Sequence, residues 1–480
     1  MVELPAELWL EIASHIAHQD MVQLLSVNRT FMNLALEKRY GFINLMRGDT
    51  RAIRLIDHLK HNDYATDRVN TLSLSCDILR DLISQEKSDL EYSQSQPASN
   101  YIHSLGIDTQ KSSTQVAKDI DDILGKLRNV KKFTMTWVDE PSQPLDIVYP
   151  HSRAWAAFGA NLENLRLLVT APVLPLLLHQ VQLPESLNEL SVVVFESYRS
   201  NRPPDKDASA FSTNVLRSLS SFISLQRHLK SLDITSTWHA DFSELFSSLA
   251  TLPLLARLSL NLPFNGQHLL DTAGILLFMQ NHAKNLTHLS LHCGSCGMPR
   301  RIHEDGASQT AVQIVERSLP YLTSLSLDVH TLWCPSDAII LFPKLGTAKL
   351  QSLHIGGLFM TLADLCSLSS GFPSDPPLRD LDVKVDKVTK EIFDLLSQSF
   401  PRLFSLHISA RGPMEDGQLD RDLKEGAADY SEWLLHDLTI DTMSRSYRVD
   451  WEALRVIAPY IPSLRGFNGK WTRLQAHETS

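Results

Sequence analysis

Cys293-Gly294-Ser295-Cys296, with His288, His292 and His303 close by, is the segment of this chain richest in chemistry-bearing side chains. Paired thiols and nearby imidazoles are donor types that hold zinc in a tetrahedral site. A structural zinc site usually carries a second paired motif at a defined distance, and the chain has none. The residues therefore read as two ordinary cysteines in a turn, with a metal-binding protein or hydrolase as the competing reading.

No G-x-S-x-G, glycine-rich phosphate loop, H-E-x-x-H or kinase signature occurs. Asp119, Asp121 and Asp122 form an acidic run, but beside Ile120 and Ile123 they read as the solvated face of a helix. The sequence gives an enzyme reading no support, and no metal or other cofactor is expected.

The elements that would position these side chains follow from composition and pattern. With 480 residues, 43% hydrophobic and 21% charged, the chain has the profile of a folded protein with a large core. A net charge of -10 argues against nucleic acid or an anionic membrane as the main partner. The start, Met1-Val2-Glu3-Leu4-Pro5, lacks the basic region of a secretory signal. The apolar stretch Leu165–Leu183 is broken by Pro172, Pro175 and His179, so no membrane span is expected. Five scattered cysteines do not make a disulfide framework. These features together point to the cytoplasm or nucleus.

A pattern L-x-x-L-x-[LIV] recurs through most of the chain, with starts at Leu162, Leu187, Leu229, Leu255, Leu286, Leu322, Leu350, Leu378, Leu403 and Leu435. A further match at Leu249 overlaps a helical segment and is set aside as accidental. The intervals run from 25 to 42 residues, mostly near the length of a leucine-rich repeat. Looser copies start at Val69, Ile102, Val130 and Leu464. Each motif predicts a short strand whose fourth and sixth positions face the core. Helical periodicity lies between them, at Val116–Leu127, Phe211–Leu225, Phe242–Leu252, Leu269–His282, Ala311–Leu319, Ile392–Phe400 and Trp451–Ile461. Pro320, Pro401 and Pro462 close helices just before the next strand. Strand, helix and strand in succession predict an α/β solenoid with short parallel strands on the concave face and helices on the convex face. Ser84–Asn100, Glu196–Ala210 and Arg411–Gly426 read as loop insertions.

The register assigns the outward strand positions, which are small and polar with a histidine cluster and an acidic patch. They include Arg257, Ser259 and Asn261; His288, Ser290 and His292; Ser324, Ser326 and Asp328; Ser352 and His354; Asp380, Asp382 and Lys384; Ser405, His407 and Ser409; and Asp437, Thr439 and Asp441. Such a face suits a basic or mixed-charge protein segment. The candidate target-binding residues are His288, His292, Asp328, His354, Asp382, His407, Asp437 and Asp441. Trp238, Trp333 and Trp471 are aromatic residues in turns that suit anchoring or packing.

The N-terminal segment has a different character. Leu4, Leu8, Ile12 and Ile16 recur at i+4 beside Trp9 and Ala13, giving one apolar helical face with Glu7, Glu11 and His15 outward. Pro5 suits the helix start. Asp20 caps a second short helix carrying Leu24, Leu25 and Val27, and Asn28 a third carrying Phe31, Leu34 and Ala35. A unit this small rarely buries enough surface to stand alone. It therefore either caps the domain behind it or docks on a partner.

The run L-P-x-E-L-W-L-E-I-A-S-H-I from Leu4, then Asp20, L-L-S-V-N-R-T-F at Leu24 to Phe31, and Leu34-Ala35, resembles an F-box of the form common in fungal proteins. Phe31 departs from the family pattern, which often has Trp there, but keeps the aromatic bulk. The resemblance implies a three-helix F-box domain over residues 1–46, a helical connector over 47–66 and the leucine-rich-repeat-like array over 67–480. It further implies that the module binds the Skp-type adaptor of a cullin–RING ubiquitin ligase, the SCF assembly. By position the adaptor contacts would be Leu4, Pro5, Leu8, Ile12, Ile16, Leu24, Leu25 and Val27. The array resembles the leucine-rich repeats found behind many F-boxes, except that the family's Asn or Cys three residues past the sixth motif position is missing. No asparagine ladder is expected, and the solenoid should be irregular. The functional expectation is a substrate-recognition subunit with a protein target, or else an F-box scaffold or localisation factor that acts without ubiquitylation.

Overall fold

The computed structural model describes residues 5–16, 20, 24, 29–46, 50–75, 113–138, 150–178, 186–195, 208–238, 240–262, 269–292, 305–328, 341–345, 349–411, 418–425, 429–442, 456–467 and 470–471. They group into two compact units, 1–229 and 230–480, and both are α/β with parallel strands.

The first unit carries β1 (Phe42–Leu45), β2 (Thr71–Ser75), β3 (Lys132–Trp137), β4 (Asn164–Thr170) and β5 (Glu189–Phe195), each paired in parallel with the next. Helices α1 (Ala6–Ser14), α2 (Arg29–Tyr40), α3 (Thr50–Lys60), α4 (Asp63–Thr66), α5 (Ser113–Lys126), α6 (Pro150–Phe158) and α7 (Leu174–Leu178) lie ahead of or between them, and α8 (Ala208–Ser224) follows β5. The second unit runs β6 (Ser231–Ser236), β7 (Arg257–Asn261), β8 (His288–His292), β9 (Ser324–Asp328), β10 (Ser352–Met360), β11 (Asp380–Val385), β12 (Ser405–Ala410), β13 (Asp437–Thr442) and β14 (Gly466–Phe467), parallel and in order. β15 (Lys470–Trp471) then returns antiparallel on β14. Among its helices are α9 (Ser243–Ser248), α10 (Ala273–His282), α11 (Asp305–Ser318), α12 (Leu362–Ser370), α13 (Lys390–Ser399) and α14 (Gln418–Glu425).

The ten motif starts and the looser ones at Val69, Val130 and Leu464 each lead into one of these strands. The physical reason is a repeated three-point anchor. The first, fourth and sixth positions of the copies are buried, as in Leu162, Leu165 and Leu167 or Leu286, Leu289 and Leu291. Period-2 alternation then forces the intervening side chains onto the opposite face. The copy read at Ile102 lies outside the described residues, and β2 pairs directly with β3. Leu249 is the residue that ends α9, as the accidental match implied.

Pairing begins earlier than the motif does. Phe42–Leu45 is a strand, with Ile43 and Leu45 buried and Phe42 and Asn44 outward. Tyr40, three residues before Ile43, is buried in the place of the first anchor, and because that anchor is aromatic a pattern written for leucine passes over the copy.

An amide and hydroxyl ladder does exist, at a different place from the family's. In five copies the residue just before the first apolar anchor donates to the carbonyl two residues before the anchor of the preceding copy. Asn129 Nδ2 reaches Asp67 O at 2.8 Å and Asn161 Nδ2 reaches Arg128 O at 2.9 Å. Asn285 Nδ2 reaches Pro253 O at 2.8 Å, and Ser186 Oγ and Ser463 Oγ do the same to Ala160 O and Trp433 O. Three of the copies without Asn or Ser there place Leu254, Tyr321 and Leu434 at the same position, all exposed. The tie thus recurs in five copies and not in every one.

Two other expectations need correction. Arg411–Gly426 is not simply a loop, because α14 forms within it with Leu419 and Leu423 buried at i, i+4. Asp119 is not on a solvated face: its side chain is 1% exposed and lies 2.5 Å from Lys60 Nζ, while Asp121 pairs with Arg153. A carboxylate this buried needs such a partner. Ser84–Asn100 and residues 196–207 of the second expected insertion lie outside the described residues, and α8 starts at Ala208. No helix among the described residues is long and apolar enough to cross a membrane.

Candidate functional site

The N-terminal helices present one apolar face and keep another for themselves. Trp9 packs edge-on against Phe31 with ring centroids 5.3 Å apart, and Ala13, Phe31 and Ala35 form a small core with Ile16, Leu24 and Leu34 against it. Ile16 and Leu24 therefore serve internal packing. Leu8 and Ile12, one turn apart on α1, are 49% and 40% exposed, and Pro5 at the helix entry is exposed too. Leu4, Leu25 and Val27 lie outside the described residues, as does most of the expected second helix.

In the first unit, the outward positions toward the strand C-terminal ends are buried, at Ser75, Thr136, Thr170 and Val193. In the second unit the outward positions stay half-buried or exposed. Parallel register sets its side chains in rows running across the strands. One row runs Ser290, Ser326, His354, Asp382, His407 and Thr439. A second holds His288, Ser324, Ser352, Asp380, Ser405 and Asp437, and a third begins His292, Asp328 and Gly356.

Two histidines and two aspartates of this face are tied into one chain. His354 Nδ1 donates to Asp382 Oδ2 at 2.7 Å, and His407 Nδ1 reaches the same oxygen at 3.0 Å. His407 Nε2 then reaches Asp441 Oδ2 at 2.9 Å. With a carboxylate at each ring nitrogen both must donate, which requires the imidazolium form of His407. Accordingly the bond to Asp382 raises the His407 pKa; burial opposes this and Asp441 adds to it. Burial alone would raise the Asp382 carboxyl, but the hydrogen bonds and charge of His354 and His407 together hold it well below the usual carboxylate range.

The remaining candidates are less coupled. His292 Nε2 is 3.4 Å from Ser326 Oγ, and its ring lies 6.4 Å from that of His354. Burial lowers its pKa, Asp328 opposes this, His354 adds to it and Asp233 opposes it. Asp328 stands between His292 and Gly356 in register. His288 lies beside Arg257, and burial with that guanidinium lowers its pKa. Asp437 lies opposite Ser405 and Gly466, where a Cβ on Gly466 would collide with the Asp437 carboxylate.

Gly356 belongs to the site, although the motif does not mark it. An added Cβ would come 3.1 Å from His354 Nε2, so the glycine leaves room for that ring. Beyond it Gly357 takes φ 81°, and the pairing of β10 with β11 jumps from Ile355–Val383 to Phe359–Lys384. A Gly-Gly pair inside a strand is the signal for such a bulge and close approach.

Trp238 is buried edge-on against Phe242, so it packs and does not anchor a partner, while Trp333 lies outside the described residues. Cys293 and Cys296 also lie outside them, and no group of three or more metal-ligating side chains is gathered among the described residues. This arrangement suits reversible polar recognition. No protein-family model matches the chain, and no curated protein is significantly similar to it.

Proposed function

We propose that this chain is the substrate-recognition subunit of an SCF-type ubiquitin ligase. In this reading the N-terminal helices are an F-box that holds a Skp-type adaptor, and the outward strand face of the second unit holds a protein target. Ubiquitin transfer is carried out by other subunits.

The observation that carries the proposal is the division of labour on α1. Trp9 and Ala13 turn to Phe31, whereas Leu8 and Ile12 face out uncovered among the described residues. Full burial of such a side chain contributes roughly 1.5–3 kcal/mol, and the part of Leu8 and Ile12 still in water is what an external apolar surface would recover. The sequence resemblance over residues 4–45 names the adaptor as that surface, and the polar face of β8–β13 supplies a separate place for a target.

The test is copurification of the full chain with purified Skp-type adaptor. Wild type is expected to hold the adaptor and Leu8→Ala/Ile12→Ala to lose it, with an unchanged circular dichroism spectrum. Retention of the adaptor at wild-type yield by the double variant would reject the assignment.

A further inference from the structure

The outward face of β6–β13 is unbalanced in charge. Asp233, Asp328, Asp380, Asp382, Asp437 and Asp441 stand there against Arg257 and Lys384. Asp382 and Asp441 are hydrogen-bonded within the histidine chain and share the charge of His407. Asp380 and Asp437 differ: among the described residues neither carboxylate accepts a hydrogen bond or forms an ion pair. They flank Ser405 in one row, with Ser352 and Gly466 on their other sides, so both rise from a floor of minimal side chains. Burial raises the Asp380 carboxyl, Arg379 works against this, and Asp437 adds to it. The two carboxylates therefore repel across Ser405, with that of Asp437 lying over Gly466.

We infer that the outward sheet face of β8–β13 docks an extended basic segment of a partner protein, in polyproline II conformation, with cationic side chains at positions i and i+3 directed to Asp380 and Asp437. Neighbouring strands stand about 4.8 Å apart, which puts two residues separated by one strand about 9.6 Å from each other. A polyproline II segment rises about 3.1 Å per residue with three residues per turn, so i and i+3 share one side about 9.3 Å apart. A β-strand does not match, because its same-face residues recur at about 6.8 Å. Charge complementarity selects a basic occupant, and the small residues of the row leave room for its backbone. The tied chain from His354 to Asp441 forms a fixed border beside the row.

This inference rests on the target-holding half of the proposed function and is independent of its adaptor half. The test uses full-length protein and a fluorescein-labelled proline-rich dodecapeptide with two lysines at i and i+3, followed by fluorescence anisotropy. A second peptide of the same composition carries the lysines at i and i+1. Wild type should bind the first at least tenfold more tightly than the second, and Asp380→Asn/Asp437→Asn should lose at least tenfold for the first. Ser405→Lys, which places a cation between them and leaves both carboxylates in place, should weaken binding to the same degree. Glu37→Gln on α2 should leave it unchanged. No binding by wild type, equal affinity for the two peptides, or unaltered affinity in the Asp380/Asp437 and Ser405 variants would each overturn the inference. The assay contains no adaptor, so adaptor loss with spacing-selective peptide binding retained would reject the ligase reading alone.

Discussion

Asn285 Nδ2 donates to the carbonyl oxygen of Pro253 across 2.8 Å, and the two residues stand one and two places ahead of the apolar anchors Leu286 and Leu255 of neighbouring copies. The same relation joins Asn129 to Asp67 and Asn161 to Arg128. Where it occurs it ties a strand entry to the one before it, and a typical internal hydrogen bond contributes roughly 0.5–1.5 kcal/mol. Asn285→Ala and Asn161→Ala should each lower stability by about 1 kcal/mol in urea unfolding. At the place held by Leu434, which is exposed, Leu434→Asn should be neutral or stabilising.

His282 is a buried cross-link. Its Nδ1 faces Phe278 O at 2.6 Å, and its Nε2 accepts from the Leu252 N–H at 2.8 Å, which requires the neutral ring. Burial lowers its pKa, and the Phe278 carbonyl opposes this. His282→Phe leaves the Leu252 N–H buried without its acceptor and should cost about 1–3 kcal/mol. Since the folded pKa lies below 6.5, the stabilisation is complete above that value and is lost as pH falls below it. Thermal melts from pH 7.5 to 5 should show the variant losing less stability than wild type.

His407 and Asp382 have the opposite and complementary signs. The His407 pKa is raised above 6.5 on folding, so its contribution is full below 6.5 and disappears as pH climbs through the folded value. The Asp382 pKa is depressed below 3.8, so its contribution is present above 3.8 and is lost as pH falls through the folded value. The difference in melting temperature between wild type and His407→Gln should therefore be greatest between about pH 4 and 6.5 and shrink on either side. Using the difference removes the opposite pull of His288 and His292, whose pKa values are lowered.

On α1, exposed and internal apolar residues should separate by assay. Phe31→Ala empties the small core beneath Trp9 and should destabilise the N-terminal helices by about 3–5 kcal/mol. Leu8→Ala should alter their stability by only about 1 kcal/mol, because about half of the residue already lies in water. Hydrogen exchange of α1 and α2 distinguishes the two.

The parallel strands were legible because three buried anchors recur at fixed spacing, and Leu255, Leu258 and Leu260 show how little else is required. The outward rows followed from the same alternation, so His354, Asp382 and His407 could be placed side by side. Their hydrogen bonds could not, because they depend on rotamers and on the ring room left by Gly356. Phe42–Leu45 escaped because its first anchor is the buried aromatic Tyr40 and not an aliphatic residue, and α14 because Arg411–Gly426 is polar overall although Leu419 and Leu423 recur at i, i+4. Asp119 was misplaced for a related reason: its partner Lys60 is distant in sequence and carries no local signal.

β14 is two residues long, and β15, also two residues with Lys470 in it, runs back against it in the opposite direction. A parallel stack ordinarily offers its last strand as a template for another chain, and long, flat, apolar edges invite such pairing. Here the hydrogen-bonding edge of β14 is occupied by a two-residue reversed segment, which gives an incoming strand little length to grip. The second unit thereby resists growing into fibres through this edge while its broad polar face stays open.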